Sequence, residues 1–243
     1  MSESVRDLTV VLAEVNSVIA DAAAVSGRSA DAVEIIGVTK THGPEVVREA
    51  WEAGLVKFGE NRVQEAAWKI PECVGGVEFH LIGHLQSNKV KAALPLFNAF
   101  HAVDSLKLLE KIEAVADETG AQPEVLLEVN VSGEATKFGL KPEQVDAVVE
   151  SALTMRCITL SGLMTMAPFT PEAEDTRPVF AALRELRDRL EQSFDIGLPR
   201  LSMGMSNDYR VAVEEGATWV RLGSVLFGDR PKWKIQQDYR WEP

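Results

Sequence analysis

Eight short runs rich in β-branched and other apolar residues recur along this 243-residue chain, each leading into an amphipathic stretch or a polar loop. The runs are EIIGVTK (34–40), VKFGE (56–60), EFHLIG (78–83), NAFHAV (98–103), EVLLEVNV (124–131), CITLSGLM (157–164), RLSMGM (200–205) and WVRLG (219–223). Their length and composition predict strands. The stretches near 44–53, 61–70, 86–93, 104–118, 142–153, 171–192 and 207–215 predict helices, with Pro44, Pro142 and Pro171 placed to suit first helical turns. Strands joined through helices pair in parallel. Eight such units in this length favour a closed (β/α)8 TIM barrel over an open doubly wound sheet, and no run is followed by the GxGxxG of dinucleotide-binding open sheets. The expectation is a single α/β domain over 1–243, with a helix over about 5–24 ahead of the barrel and an aromatic tail over about 229–243 packed back on it.

A net charge of -12 repels nucleic-acid backbones and anionic membrane surfaces as main partners, while leaving room for a local basic pocket that takes a small phosphate. Cys73 and Cys157 have no CxxC spacing and suggest a reducing compartment without a metal or disulfide framework. The N-terminus carries Glu3 and Asp7 where a secretory leader would be basic, and runs such as LTVVLAEV are interrupted by charge. A cytoplasmic location is expected.

A parallel barrel exposes its chemistry at the carboxyl ends of its strands. Here those ends are Lys40, GENR (59–62), HLIGHLQSNK (80–89), GLMTMAPF (162–169), SMGMSND (202–208) and RLGSVLFG (221–228), all richer in polar residues and glycine than segments leaving apolar strands need to be. Lys40 at such a mouth is a candidate amine nucleophile, a role that partial desolvation or a neighbouring cation favours. Gly223 lets backbone N–H groups approach an anion, Ser224 adds a hydroxyl, and the next residues can form one helical turn. Ser202, Gly204 and Ser206 leave the preceding strand and could close the other side of a phosphate site; tight turns and helix caps are the plainer reading of both loops. Arg221 could point into the mouth and donate to a ring nitrogen, or pair outside with Glu214 or Glu215. If it points inward, an arginine with no acceptor cannot supply a transferable proton to that nitrogen.

His80 and His84 are four apart, but Gly83 separates them and no HExxH accompanies them, so no metal is expected. His80 reads either as a neutral donor near the mouth or as a satisfied core histidine. Asn61 and Arg62 either orient the second barrel helix or contact ligand. Met164, Met166, Met203 and Met205 could form a soft wall against an aromatic ring or fill core. Trp51, Trp68 and Trp219 read as packing.

Taken in order, VTKTH (38–42), FGENRVQE (58–65), HLIGHLQSNK (80–89), LLEVNVSGEATKFG (126–139), GLMTMAP (162–168), LSMGMSNDY (201–209) and VRLGSVLFG (220–228) closely resemble the motifs of the pyridoxal phosphate homeostasis proteins, the YggS/PROSC group. The barrel of that family is similar to the N-terminal domain of alanine racemase. The resemblance covers nearly the whole chain. It implies that Lys40 forms the internal aldimine with pyridoxal 5'-phosphate, that Arg221 partners the pyridine nitrogen, and that Ser202, Gly223 and Ser224 contact the phosphate with Met203 and Ser206 close by. Asn61, His80 and Met164 resemble residues lining the pocket. Phe138 departs from the smaller residue usual between Lys137 and Gly139.

The same resemblance implies that efficient racemisation is not expected. Alanine racemases place a tyrosine from a second domain opposite the lysine, whereas here Tyr209 and Tyr239 come late and no second domain is expected after the barrel. The resulting expectation is a monomer that keeps the free aldehyde low and passes it to apo forms of pyridoxal phosphate enzymes. A low-activity amino-acid racemase, a cofactor-free enzyme acting on a phosphate ligand and a purely structural module are the alternatives.

Overall fold

In the computed structural model, which describes residues 7–134 and 137–228, all eight expected strands form and pair in parallel in sequence order. They are β1 (Glu34–Val38), β2 (Lys57–Glu60), β3 (Glu78–Leu81), β4 (Ala99–Val103), β5 (Glu124–Glu128), β6 (Thr159–Met164), β7 (Arg200–Met205) and β8 (Trp219–Leu222). β8 returns to pair with β1, Glu34 opposite Trp219 and Gly37 opposite Leu222, and the barrel closes. Closure removes both sheet edges. Around it run α1 (Leu8–Val25), α2 (Pro44–Glu52), α3 (Val63–Lys69), α4 (Val90–Ala93), α5 (Leu106–Thr119), α6 (Val145–Ala152), α7 (Arg177–Phe194), α8 (Tyr209–Glu214) and α9 (Ser224–Phe227). The expected tail over 229–243, with Trp233, Tyr239 and Trp241, lies outside the described residues.

Local chemistry moves several expected boundaries. β1 stops at Val38, so Lys40 stands in a turn two residues past the strand. The helix expected over 86–93 splits into a 3-10 turn, Ser87–Lys89, and the single turn α4. Pro171 precedes the 3-10 turn Ala173–Thr176, and Pro178 is the proline in the first turn of α7. Pro44 and Pro142 open their helical segments as expected.

Strand alternation sorts the sequence into two cores. On β8, Val220 and Leu222 join the large layer between sheet and helices, whereas Trp219 faces inward with Ile36, Ala99, Ala102, Leu126 and Met164. The interior is a packed plug. α1 is 18 residues long with a mean hydropathy of 1.7, enough by length and composition to cross a membrane. Here Val11, Leu12, Val15, Ile19, Ala22 and Ala23 on it are buried in the sheet–helix core. Just past its end, Arg28 donates to the carbonyls of Val213, Gly216 and Ala217, capping the C-terminal end of α8.

β6 approaches β7 closely at Gly162, where an added Cβ would lie 1.8 Å from the carbonyl oxygen of Arg200. That atom belongs to the barrel wall and cannot swing aside. Gly162→Ala should therefore destabilise the fold by on the order of 3 kcal/mol, read as a lowered urea midpoint.

Candidate functional site

Lys40 and the end of β2 meet at one corner of the barrel mouth, since Val38 pairs with Gly59. Thr41 Oγ1, Glu60 Oε2 and Asn61 Oδ1 are the buried side-chain oxygens without a hydrogen-bond partner among the described residues, and all three sit at this corner. Buried polar atoms are nearly always satisfied, so an unpartnered cluster marks a place built to receive a donor. The loop after β3 presses on the same corner: a Cβ on Gly83 would meet the carbonyl oxygen of Asn61 at 2.4 Å.

The floor of the mouth is Arg221, 4% exposed and pointing into the barrel. It does not pair with Glu214 or Glu215, which bind Arg177 and Arg184 on the outer surface. Its Nη2 donates to the Thr165 carbonyl at 2.9 Å and its Nη1 to Ser202 Oγ at 2.6 Å. Burial lowers its pKa to about 10, opposed by Asp208 and Glu128, and it stays cationic at neutral pH. Below it the chain of contacts continues from Ser202 Oγ to His101 Nδ1 at 2.8 Å and from His101 Nε2 to His80 Nδ1 at 2.9 Å. Trp219 stacks on His101 with 4.9 Å between ring centroids.

The direction of this chain follows from Arg221, which has only donors. Ser202 Oγ accepts from it, and its own hydroxyl proton is satisfied by His101 Nδ1. His101 then carries its proton on Nε2 and donates to His80 Nδ1. Any other assignment leaves a buried proton without an acceptor. Burial holds both imidazoles neutral, lowering His80 to about 4 and His101 well below its ordinary value.

Beside β1, on the flank away from β2, the loops after β7 and β8 converge, and a Cβ on Gly223 would lie 3.6 Å from Val38 at the end of β1. Ser206 Oγ accepts from the backbone N–H groups of Gly223 and Val225, both at 3.2 Å. Two N–H groups aimed at one oxygen form a cradle for an anionic oxygen. Gly204 at φ +90° folds the β7 loop onto α8, and a Cβ there would meet Ala212 Cβ at 2.5 Å. Asp208 fixes the turn by accepting from Met205 N at 2.6 Å. Ser224 opens α9 and is exposed.

The expected residues thus divide. Lys40, Asn61, Arg221, Gly223, Ser224 and Ser206 border the mouth. Ser202 does not reach the phosphate-side loops with its side chain: it is 0% exposed and its hydroxyl is spent between His101 and Arg221. Met203 points the other way, into the sheet–helix core, because it alternates with Ser202. Met164 is interior, Met166 is exposed at the rim, and no four-methionine wall forms. His80 is the satisfied interior histidine; His84 pairs with Asp104 at 3.0 Å and stacks on Phe138. Among the described residues no group of three or more His, Cys, Asp or Glu side chains could hold a metal ion.

Sequence reasoning missed His101, Glu128 and Thr165. A histidine inside the run NAFHAV and a glutamate inside EVLLEVNV were the available signals, polar residues on the inner face of otherwise apolar strands. Glu128 is 3% exposed, and burial together with Asp104 raises its carboxyl to about 7.

The model of the family described as "alanine racemase, N-terminal domain" matches residues 15–231. The pyridoxal phosphate homeostasis protein of Aquifex aeolicus (strain VF5) is 44% identical over 206 residues, covering 84% of this chain and 90% of that protein. The protein of the same name from Pseudomonas aeruginosa is 42% identical over 221 residues, covering 90% and 94%. Among solved structures, PipY of Synechococcus elongatus PCC7942 with PLP bound superposes with a TM-score of 0.81 at 36% identity, covering 91% of this chain and 100% of that one.

Two outcomes test the electrostatics. In 15N NMR of the ligand-free protein, His80 and His101 should both appear as neutral Nε2–H tautomers with no titration around neutral pH; a charged imidazole at either position would break the chain direction. Glu128 holds its proton to about 7 in the fold and to 4.5 in an unperturbed side chain. Between those values the unfolded chain releases the proton first, so stability falls as pH rises. Glu128→Gln should match the parent below the lower value and exceed it above the upper one by up to about 3 kcal/mol, measured by urea denaturation.

Proposed function

The chain belongs to the pyridoxal phosphate homeostasis protein family, whose barrel is that of the alanine racemase N-terminal domain, and from that premise we propose that it binds pyridoxal 5'-phosphate reversibly through Lys40. One observation carries the reading: Lys40, a buried donor-only guanidinium on Arg221 and a convergent pair of backbone N–H groups on Gly223 and Val225 all come from the adjoining ends of β1 and β8. These match the three polar features of the ligand: an aldehyde, a ring nitrogen and a phosphate. The unpartnered Asn61 Oδ1 and Thr41 Oγ1 offer further acceptors beside the amine.

When bound, the cofactor supplies an aldehyde that condenses reversibly with a primary amine. Lys40 provides that amine. The N–H groups of Gly223 and Val225, with Ser206 and Ser224, hold the phosphate. Arg221, cationic and without an acceptor, would keep a proton off a ring nitrogen placed against it, and so would weaken the ring as an electron sink. Ser202 and His101 hold the guanidinium from below.

The role is storage and release to apo forms of pyridoxal phosphate enzymes by a monomeric cytoplasmic protein, without nucleic-acid or membrane partners and without turnover. Proton exchange at a substrate carbon needs acid/base groups on both of its faces. Tyr209 sits with its backbone against Gly204, where a Cβ would lie 3.0 Å from Tyr209 Cα, on the phosphate side of the mouth.

Mixing the protein with pyridoxal 5'-phosphate should produce a visible absorption band, and borohydride reduction should place the adduct on Lys40. Lys40→Ala should abolish the adduct while keeping weaker, phosphate-directed binding. An adduct on a different lysine would overturn the assignment. Cα proton exchange of alanine in D2O, at rates far above those of the free cofactor and lost in Lys40→Ala, would replace storage by catalysis.

A further inference from the structure

Between the barrel wall and α3 lies an ion cluster out of contact with water. Lys69 and Glu60 are each 0% exposed at the side chain and Glu65 is 8% exposed. Lys69 Nζ donates to Glu60 Oε1 at 2.7 Å, to the Thr39 carbonyl at 2.7 Å and to Glu65 Oε1 at 3.2 Å, so all three of its protons are placed. Desolvating such a group is costly, and an apolar replacement of the whole cluster would often be as stable. Stability alone therefore gives little reason for these residue types.

What the cluster does geometrically is specific. Thr39 is gripped twice, its carbonyl by Lys69 and its hydroxyl, at 2.7 Å, by Glu60 Oε1. Thr41 stands at φ +69°, the left-handed region that a β-branched residue avoids, and donates its N–H to Glu65 Oε1. Such a conformation is strained and persists only where its surroundings over-determine it. The residues before and after Lys40 are thus both held by the same three side chains.

We propose that Lys69, Glu60 and Glu65 form a clamp that fixes the backbone on both sides of Lys40, making Lys69 and Glu65 positioning residues for capture of the cofactor aldehyde. The inference rests on Lys40 being the anchoring amine. In the step it serves, neutral Lys40 Nζ forms a C–N bond to the aldehyde carbon, and both amine protons leave with the carbonyl oxygen as water. A misplacement of about 1 Å in such a group can slow reaction by about a hundredfold.

The test compares Glu65→Gln, which keeps a carbonyl acceptor for Thr41 N–H and Lys69, with Glu65→Met, which keeps none. A third variant, Lys69→Met with Glu60→Gln, removes the fully buried ion pair and leaves Glu65, 8% exposed, as the remaining charge of the cluster. In the ligand-free proteins, amide exchange at Thr41 should quicken by about tenfold or more in Glu65→Met, beyond any change in the urea midpoint, and stay near parental in Glu65→Gln. The rate of adduct formation on Lys40 should fall by about tenfold or more in Glu65→Met and in the double variant. Affinity for pyridoxine 5'-phosphate, which lacks the aldehyde, should hold. Unchanged Thr41 exchange, an unchanged adduct rate, or equal losses for aldehyde and alcohol would each overturn the clamp. If the parent forms its adduct elsewhere, the Lys40 reading fails, and so does the clamp's role in capture, while Thr41 exchange still reports whether its geometry is real.

Discussion

The pairing of β8 with β1 is the contact on which the rest of this molecule depends. It sets Ile36 opposite Arg221 and Gly37 opposite Leu222, residues nearly a whole chain apart. Without it, Lys40 and the Gly223 loop would belong to opposite edges of an open sheet, each edge needing cover. With it, Lys40, Arg221 and the Gly223 loop gather at neighbouring strand ends on one face of the barrel. The parallel order also puts every strand's carboxyl end on the same face, so polar residues collect there without any local sequence relation between them.

Burying a cationic floor in that barrel demands compensation, and the interior is organised around supplying it. Among the described residues no carboxylate makes a direct hydrogen bond to Arg221; its donors go to a carbonyl and a hydroxyl, and the hydroxyl is backed by two neutral imidazoles. A chain of aligned neutral dipoles spreads the cost over several groups and fixes each proton's place. Trp219 closes the chain from below, with its own Nε1 donating to Glu34 Oε2 at 2.7 Å near the opposite end of the barrel.

The proposed rigidity around Lys40 and the proposed restraint on a ring nitrogen by Arg221 would suit a protein that holds a reactive aldehyde. Capture needs a well-placed primary amine; electron withdrawal by the ring would invite chemistry on the captured group. Under the proposed reading, the arrangement at Lys40 would serve the first requirement and Arg221 the second.

Much of this was legible in the sequence. Eight β-branched runs spaced by helical stretches determined the barrel, because strand and helix periodicities are local properties and closed parallel pairing is the economical way to bury eight two-faced strands. Lys40, Arg221 and Gly223 were visible as polar or glycine residues at strand ends. Which face a side chain takes was decided only by the tertiary structure: a shift of one residue sends Ser202 inward to Arg221 and Met203 outward to the helices. His101 and Lys69 gave weak signals because their partners, Ser202 and Thr39, lie 101 and 30 residues away. Hydrogen bonds of that span exist only after the barrel has closed.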